Sequence, residues 1–456
     1  MTIQRGMLRS GAVVLTAAAL ALAGCSAPSG NNDDTTTGDQ TTAVVAEEIT
    51  APVTPEQVAE LGDITLSVWA DQGEQDFMEA FVPTYEEMFP NVTVEIQYKS
   101  YNDLVATVLN AMNSSDAPDV TQGNQGWATD GALVKAGLIR PMDDVAAAYG
   151  YTDAAGDAIS QLMWSPDGSE FGSGTIYGLS PDNQMVGIFY NKAKLAELGL
   201  DVPRTLEDLE AALEAGKGLG EAPLVLGNSD KASAMQTLSI LQGAMTPTAD
   251  TRDWITGAAG SDFNVETNAA AIDTMVSWVD KGYISSGYDG TSPDDAAAAF
   301  AAGDGLFFIG GNWYGGTIAD GDAFGFASGL DDGGNASSGS FGLNWHVGAN
   351  SDATIAGLAF VGMINSAETA ETLASVNRVP IHPVEYDAAG SIFPDLLTAS
   401  DEQLSGNGAL YWYDWATDTM YDTFTSGLQE TLAGRTSAED LLATVQADWE
   451  DFQADK

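Results

Sequence analysis

From Ile64 onward the chain alternates two hydrophobic periods, and this alternation restricts its fold more than any other feature. Ile64-Thr65-Leu66-Ser67-Val68-Trp69 repeats every second residue, as on a half-buried strand. Phe77, Phe81, Tyr85 and Met88 then recur at three- and four-residue steps, as on one face of a helix. Pro83 lies inside that pattern and predicts a kink or a split. A strand at Val92–Ile96, a helix at Tyr101–Met112, a strand at Asp119–Gln122 and a helix at Trp127–Ala136 follow. Strands alternating with helices imply an α/β domain with a largely parallel sheet. The alternation resumes at Gly187–Tyr190, Leu224–Leu226 and Leu306–Ile309, each beside a helical stretch. Thr205 with Asp208 marks a helix start, Gly434 a helix stop, and Thr436 with Glu439 the start of a last helix. The body from Asp63 to Lys456 is long enough for two domains.

The first sixty residues follow different rules. Met1–Ser10 carries Arg5 and Arg9 and no acid, and Gly11–Leu22 is almost wholly Ala, Val and Leu. A basic start, a short apolar run and small residues before a cut describe an export signal over residues 1–24. The apolar run is too short to cross a bilayer, which takes about 20 residues. Leu22-Ala23-Gly24-Cys25 resembles the lipobox of bacterial lipoproteins. In that family the cysteine is lipidated and becomes the new N-terminus. Cys25 is the only cysteine, so no disulfide partner competes for it. The resemblance places the protein outside the cytoplasm, lipid-anchored to the cell membrane. Residues 25–61 read as a flexible tether, because Ser26–Thr42 has no aromatic residue and Pro52 and Pro55 follow. About 35 such residues have a mean span of roughly 30–35 Å.

Charge excludes other partners. The chain has 15 Lys+Arg against 66 Asp+Glu, net −51. Such a surface repels nucleic acid, which is held by Lys and Arg on phosphates. It also disfavours adhesion to anionic lipid by charge, so the anchoring falls to lipid on Cys25.

Further segments carry a second resemblance. Ala117-Pro118-Asp119-Val120, Ile176-Tyr177-Gly178-Leu179, Phe189-Tyr190-Asn191-Lys192, Phe308-Ile309-Gly310-Gly311-Asn312-Trp313 and Ala433-Gly434-Arg435-Thr436-Ser437 stand in a telling order. Together they resemble the extracellular solute-binding proteins of ATP-driven (ABC) carbohydrate importers, the maltose-binding-protein class, over nearly the whole body. The resemblance implies an α/β, two-lobed periplasmic-binding-protein-like fold with a hinge between the lobes. It implies a monomer that captures a carbohydrate and meets ABC permease subunits in the membrane. Lobe 1 is then expected at 62–185 and 348–395, and lobe 2 at 190–345 and 400–456. The crossings are expected near Gln184–Asn191 and Phe341–Ala349.

Ligands of open α/β sheets bind beyond the carboxyl ends of the strands. Asp71 and Gln72 follow the first strand, and Asn124, Gln125 and Trp127 follow the third. Acids and amides suit hydroxyls that both donate and accept, and tryptophan faces suit sugar C–H faces. Trp69 reads as packing, because it lies on the strand itself. The resemblance adds Gln184, Asn312, Trp313, Trp345, Asp414 and Trp415. Gln184 reads equally well as a ladder-edge amide in the hinge, and Trp345 equally well as a packed hinge tryptophan. Within Tyr411–Trp415 the contacts are expected from Asp414 and Trp415, and packing from the rest.

No catalytic site is expected. The two histidines, His346 and His382, are far apart, and no metal-ligand cluster, cysteine nucleophile or Gly-x-Ser-x-Gly elbow is present. No cofactor and no metal are expected. Asp331–Asn335 lacks EF-hand spacing and reads as a solvated loop. Two other functions stay open. Carboxylates beside tryptophans also suit an amine, as in a polyamine or basic-peptide receptor. A lipid-anchored glycoside hydrolase is the alternative from another class.

Overall fold

A computed structural model describes residues 48–406 and 408–456. The signal segment, Cys25 and most of the tether lie outside the described residues. In chain order the strands are β1 Ile64–Asp71, β2 Val92–Lys99, β3 Val120–Gly123, β4 Met163–Trp164, β5 Thr175–Ile176 and β6 Asn183–Asn191. Then come β7 Leu224–Val225, β8 Phe307–Gly311, β9 Phe324–Ala327, β10 Gly339–Phe341 and β11 Asn344–Val347.

Two main sheets form. The first has the order β11-β3-β1-β2, with β1 parallel to β2 and β3 and with β11 antiparallel to β3. The second has the order β10-β6-β8-β7, with β9 also on β6. Its β6 runs antiparallel to β8, β9 and β10, so this sheet is mixed where the sequence pattern implied parallel strands. Each sheet has its own core. Leu66, Val68, Phe77, Phe81, Tyr85 and Trp345 belong to the first. Ile188, Leu224, Trp254, Trp278, Phe307 and Phe424 belong to the second. Two separate cores on two sheets make two lobes.

The chain passes between the lobes three times. Leu179 bridges Trp345 in lobe 1, and Asn183 opens β6 in lobe 2, so residues 180–182 make the first passage. Phe341 ends β10 in lobe 2 and Asn344 starts β11 in lobe 1, so Gly342 and Leu343 make the second. Asn183 N–H donates to Val379 O and Ile381 N–H donates to Pro181 O, which sets the third beside the first.

The expected lobe limits shift accordingly. Residues 344–347 pair with β3, so 344 and 345, expected in lobe 2, belong to lobe 1. Ile392, Leu396 and Ala399 pack with Phe308 and Phe326, so the helix Phe393–Ser405 belongs to lobe 2. The body also starts earlier than residue 62. Ile49, Val53 and Val58 are buried in the lobe 1 core, and Ile49 N–H donates to Asp144 Oδ2 at 3.0 Å. Pro55, read as spacer, is the first residue of a short helix capped by Thr54.

Local signals fared well where they concerned caps. Thr205 and Asp208 form the reciprocal box, and Gly434 follows the helix Met420–Leu432 with φ +69°. The last helix starts one residue later than expected, with Ser437 accepting from Asp440 N–H. Pro83 does not split its helix, which runs unbroken over Gln75–Met88. Pro83 and Glu79 are both exposed, so water can serve the carbonyl that lacks its helical donor. Among the described residues no helix is long and apolar enough to cross a membrane.

Candidate functional site

The two lobes meet through the loops after β1 and β3. Asp71 ends β1 half-buried. Its N–H donates to Gln122 Oε1 at 2.7 Å, and its Oδ1 accepts from Gly73 N–H at 2.8 Å. Burial, with Glu74 nearby, pushes its carboxyl up to about 6, against the opposing effect of the Gly73 bond. Gln72 beside it is exposed. After β3, Asn124 Nδ2 reaches across to lobe 2 and donates to Asp414 Oδ2 at 2.6 Å. Burial raises the Asp414 carboxyl, and the Asn124 bond works against that rise.

A second pair of residues crosses nearby. Tyr101, the first residue of the helix Tyr101–Met112, has its hydroxyl 3.5 Å from the same Asp414 oxygen. Its ring meets that of Tyr421 with centroids 6.0 Å apart. Tyr421 Oη donates to Asn102 Oδ1 at 2.9 Å and lies 3.2 Å from Asp230 O. Burial raises the Tyr101 hydroxyl well above its ordinary value, and Asp414, Tyr421 and Asp71 raise it further. Burial also raises Tyr314, with Asp294, Asp230 and Asp71 acting on it. Asp71, Asp230 and Asp414 therefore stand around the same group of tyrosines.

Lobe 2 adds an aromatic wall. Trp313 and Tyr314 lie on the turn Asn312–Gly315 that follows β8. The Trp313 ring stands 5.9 Å from that of Trp412, and both residues are half-buried. The indole lies over the backbone of Gly311, where any Cβ would come within 2.0 Å of it. Glycine is the residue that allows this approach.

Other expected contacts turn inward. Trp345 has no exposed surface and packs its ring edge-on to Phe360 in the lobe 1 core, so it offers no face to a ligand. Trp415 is likewise fully buried, stacked on Tyr411 and edge-on to Phe171. The neighbour expected only to pack, Trp412, is the one facing Trp313. Asn312 locks the start of β6, accepting from Met185 N–H at 3.1 Å and donating to Asn183 O at 2.9 Å. Gln125 donates to Gly342 O at 2.6 Å and to Asn344 Oδ1 at 3.0 Å, so it braces the second passage. Gln184 is half-buried at the first passage, its Nε2 3.5 Å from Asp182 Oδ2.

Trp127 stands apart from the Tyr101–Asp414 group. Its ring meets Trp164 and, from the last helix, Phe452, with the Lys456 ammonium 3.8 Å from its centroid. It borders a separate groove of ≈ 700 Å³ with Lys135, Asp448 and Asp451.

Reading the sequence missed Tyr101, Asn102, Asp230, Trp412 and Tyr421. Tyr101 carried a usable signal, an aromatic opening a helix directly after a strand. Among the described residues no group of three His, Cys, Asp or Glu is placed to hold a metal ion.

The family model of bacterial extracellular solute-binding proteins matches residues 80–395, and the chain belongs to that family. Solved structures share its two-lobed fold. A chitin oligosaccharide binding protein is 20% identical, covering 86% of this chain and 99% of its own, with a TM-score of 0.73. The GacH receptor of Streptomyces glaucescens, solved unliganded and with acarbose, is 19% identical, covering 86% and 98%, with a TM-score of 0.68. Maltose-bound MalE3 of T. maritima is 15% identical, covering 85% and 99%, again at 0.68. No curated protein matches the chain.

Proposed function

We propose that this chain is the substrate-binding lipoprotein of an ABC importer, capturing a sugar or oligosaccharide between its lobes and delivering it to a membrane permease. The observation that carries this reading is the mixed chemistry where the lobes touch, with Asn124 and Tyr101 of lobe 1 reaching Asp414 and Tyr421 of lobe 2. Lobe 2 contributes the half-buried faces of Trp313 and Trp412, and lobe 1 contributes Asp71 and Tyr101. Carboxylates accept sugar hydroxyls, and indole faces take the C–H surfaces. The solved relatives named above bind a chitin oligosaccharide, acarbose and maltose, which supports the same ligand class. Asp71, Asn124, Trp313 and Asp414 are retained as ligand contacts, with Tyr101, Asp230, Trp412 and Tyr421 added.

A ligand between the lobes should hold them together. A thermal-shift screen of the body against a glycan library should find a stabilising sugar, and the radius of gyration in solution scattering should fall when that sugar is added. Binding without any change in size would count against an interlobe site. The three carboxylates Asp71, Asp230 and Asp414 around shared tyrosines also suit an amine. Stabilisation by spermidine and by no sugar would replace the sugar reading with that one.

The lipid anchor on Cys25 is part of the same proposal, supported by the lone cysteine behind a short apolar run. Acyl chains contribute roughly 0.8 kcal/mol per buried CH₂, so removing them removes durable attachment. Cys25→Ala should release the protein from membranes or stall its processing. Unchanged retention through salt and carbonate washes would refute the anchor.

A further inference from the structure

His346 lies on β11, directly after the second passage between the lobes, with no exposed surface. Both of its ring nitrogens face acceptors. Nδ1 is 2.9 Å from the carbonyl oxygen of Tyr177, and Nε2 is 2.9 Å from Asp130 Oδ1. A neutral imidazole has one N–H, so one of these contacts would set lone pair against lone pair. Two donors satisfy both, and the imidazolium has two. The other oxygen of Asp130 accepts from Asn344 Nδ2 at 2.7 Å. The ring also lies against Gly123, where a Cβ would sit 2.8 Å from Nε2 and 2.7 Å from Asp130 Oδ1.

These bonds join three segments. Tyr177 leads into the first passage, Asn344 and His346 leave the second, and Asp130 belongs to the short π-helix Trp127–Gly131 that closes the loop after β3. That loop carries Asn124, the side chain that reaches Asp414 in the other lobe.

We propose that His346 is held as an imidazolium and acts as a pH-sensitive strut between the second passage and the loop that bears Asn124. Asp130 is the charged group facing the ring. From β3 the ring meets Gly123, and from its own strand Asn344, neither of which titrates. The Tyr177 segment faces it through a backbone carbonyl, with Asp143 beside the phenol. Burial lowers the His346 ring and is outweighed by Asp130 and the Tyr177 carbonyl, so the net direction is upward. The folded state then holds a proton that the unfolded chain releases near its ordinary value of about 6.5. The strut is fully present below that pH and is lost as pH rises through the higher folded value. Over that interval the folding equilibrium constant should fall at most about tenfold per pH unit.

The chain has two histidines, which makes the test direct. In ¹⁵N-imidazole-labelled protein, His382→Gln leaves a single ring to observe. Both its nitrogens should be protonated at pH 7, with a transition to one N–H at higher pH. A neutral tautomer at pH 7 overturns the proposal, and the wild type with both rings gives the same answer if the variant does not fold. Asp130→Asn removes the facing charge at nearly constant shape. It should remove the fall in folding equilibrium constant between about pH 6.5 and the observed transition. An unaltered pH dependence in that variant would equally overturn the strut.

Discussion

Arg378→Ala should lower the stability of the body by about 3–5 kcal/mol in urea or guanidinium titration, because it leaves two buried carboxylates without their counter-charge. Arg378 Nη2 donates to Glu74 Oε1 at 2.9 Å, and its Nη1 lies 2.8 Å from Glu74 Oε2. On the other side its Nε donates to Asp182 Oδ2 at 2.8 Å. The side chains are 7% exposed for Arg378 and 4% for each acid, so water screens little of this. The triad joins the first and third passages to the loop after β1. Glu74 follows β1, Asp182 lies on the first passage and Arg378 stands at the third. Burial raises the Glu74 carboxyl, and the Arg378 charge opposes that rise. Without the guanidinium, nothing opposes the upward effect of burial on the Glu74 carboxyl. The variant should therefore gain more stability than the wild type as pH falls, narrowing its deficit. A loss under about 1 kcal/mol would mean that the cluster is solvated when the protein is free in solution.

Two tryptophans should separate binding from folding. Trp313→Ala should leave the ligand-free melting temperature nearly unchanged and weaken the sugar found by screening about 30-fold or more. That corresponds to the roughly 2 kcal/mol lost when an aromatic anchor is truncated. Trp345→Ala should do the reverse. Its ring has no exposed surface, so truncation should cost about 3–5 kcal/mol of folding stability through lost burial and an unfilled cavity. The affinity of the folded fraction should change little. Should Trp313→Ala melt far below the wild type while its folded fraction binds normally, Trp313 is core and the aromatic wall is misread. Ligand-induced stabilisation reports the two effects in one titration, since it scales with ligand concentration over Kd.

The local half of the fold was legible in the chain. Alternation at Ile64–Trp69 gave a strand in the right place, and the Thr205 box and Gly434 marked helix ends correctly. Such signals act within a few residues, where side chain and backbone bond each other directly. The candidate loops after β1 and β3 came from the rule that ligands of this architecture sit beyond strand ends, and the one after β8 from the family resemblance. Within those loops the choice of residue was harder. Asp71 and Trp313 are both half-buried at the ends of their strands, which leaves each of them a surface to offer. Asn312 and Gln125 looked like ligand amides, yet Asn312 spends its bonds on backbone and Gln125 on Gly342 O and the Asn344 side chain, both at the passages between lobes. Amides satisfy buried carbonyls as readily as sugar hydroxyls, and sequence does not record which acceptor is near.

Tryptophan orientation shows the division most clearly. By itself the sequence determined that Trp69 lies on a strand and that four aromatics crowd around Asp414 in Tyr411–Trp415. It also determined the two periods, the caps and the acidic surface, since each depends on neighbours in the chain. The tertiary structure decided which faces are covered. Trp345 is buried because the helix Thr354–Ile364 packs against β11. Trp415 is buried because Phe171, far away in sequence, closes over it, while Trp412 is left beside Trp313. Adjacent residues of a strand point to opposite sides, and a turn swings its side chains through wide angles. Which of those directions is core and which is cleft depends on what the other segments place there, and that is fixed only when the distant pieces pack.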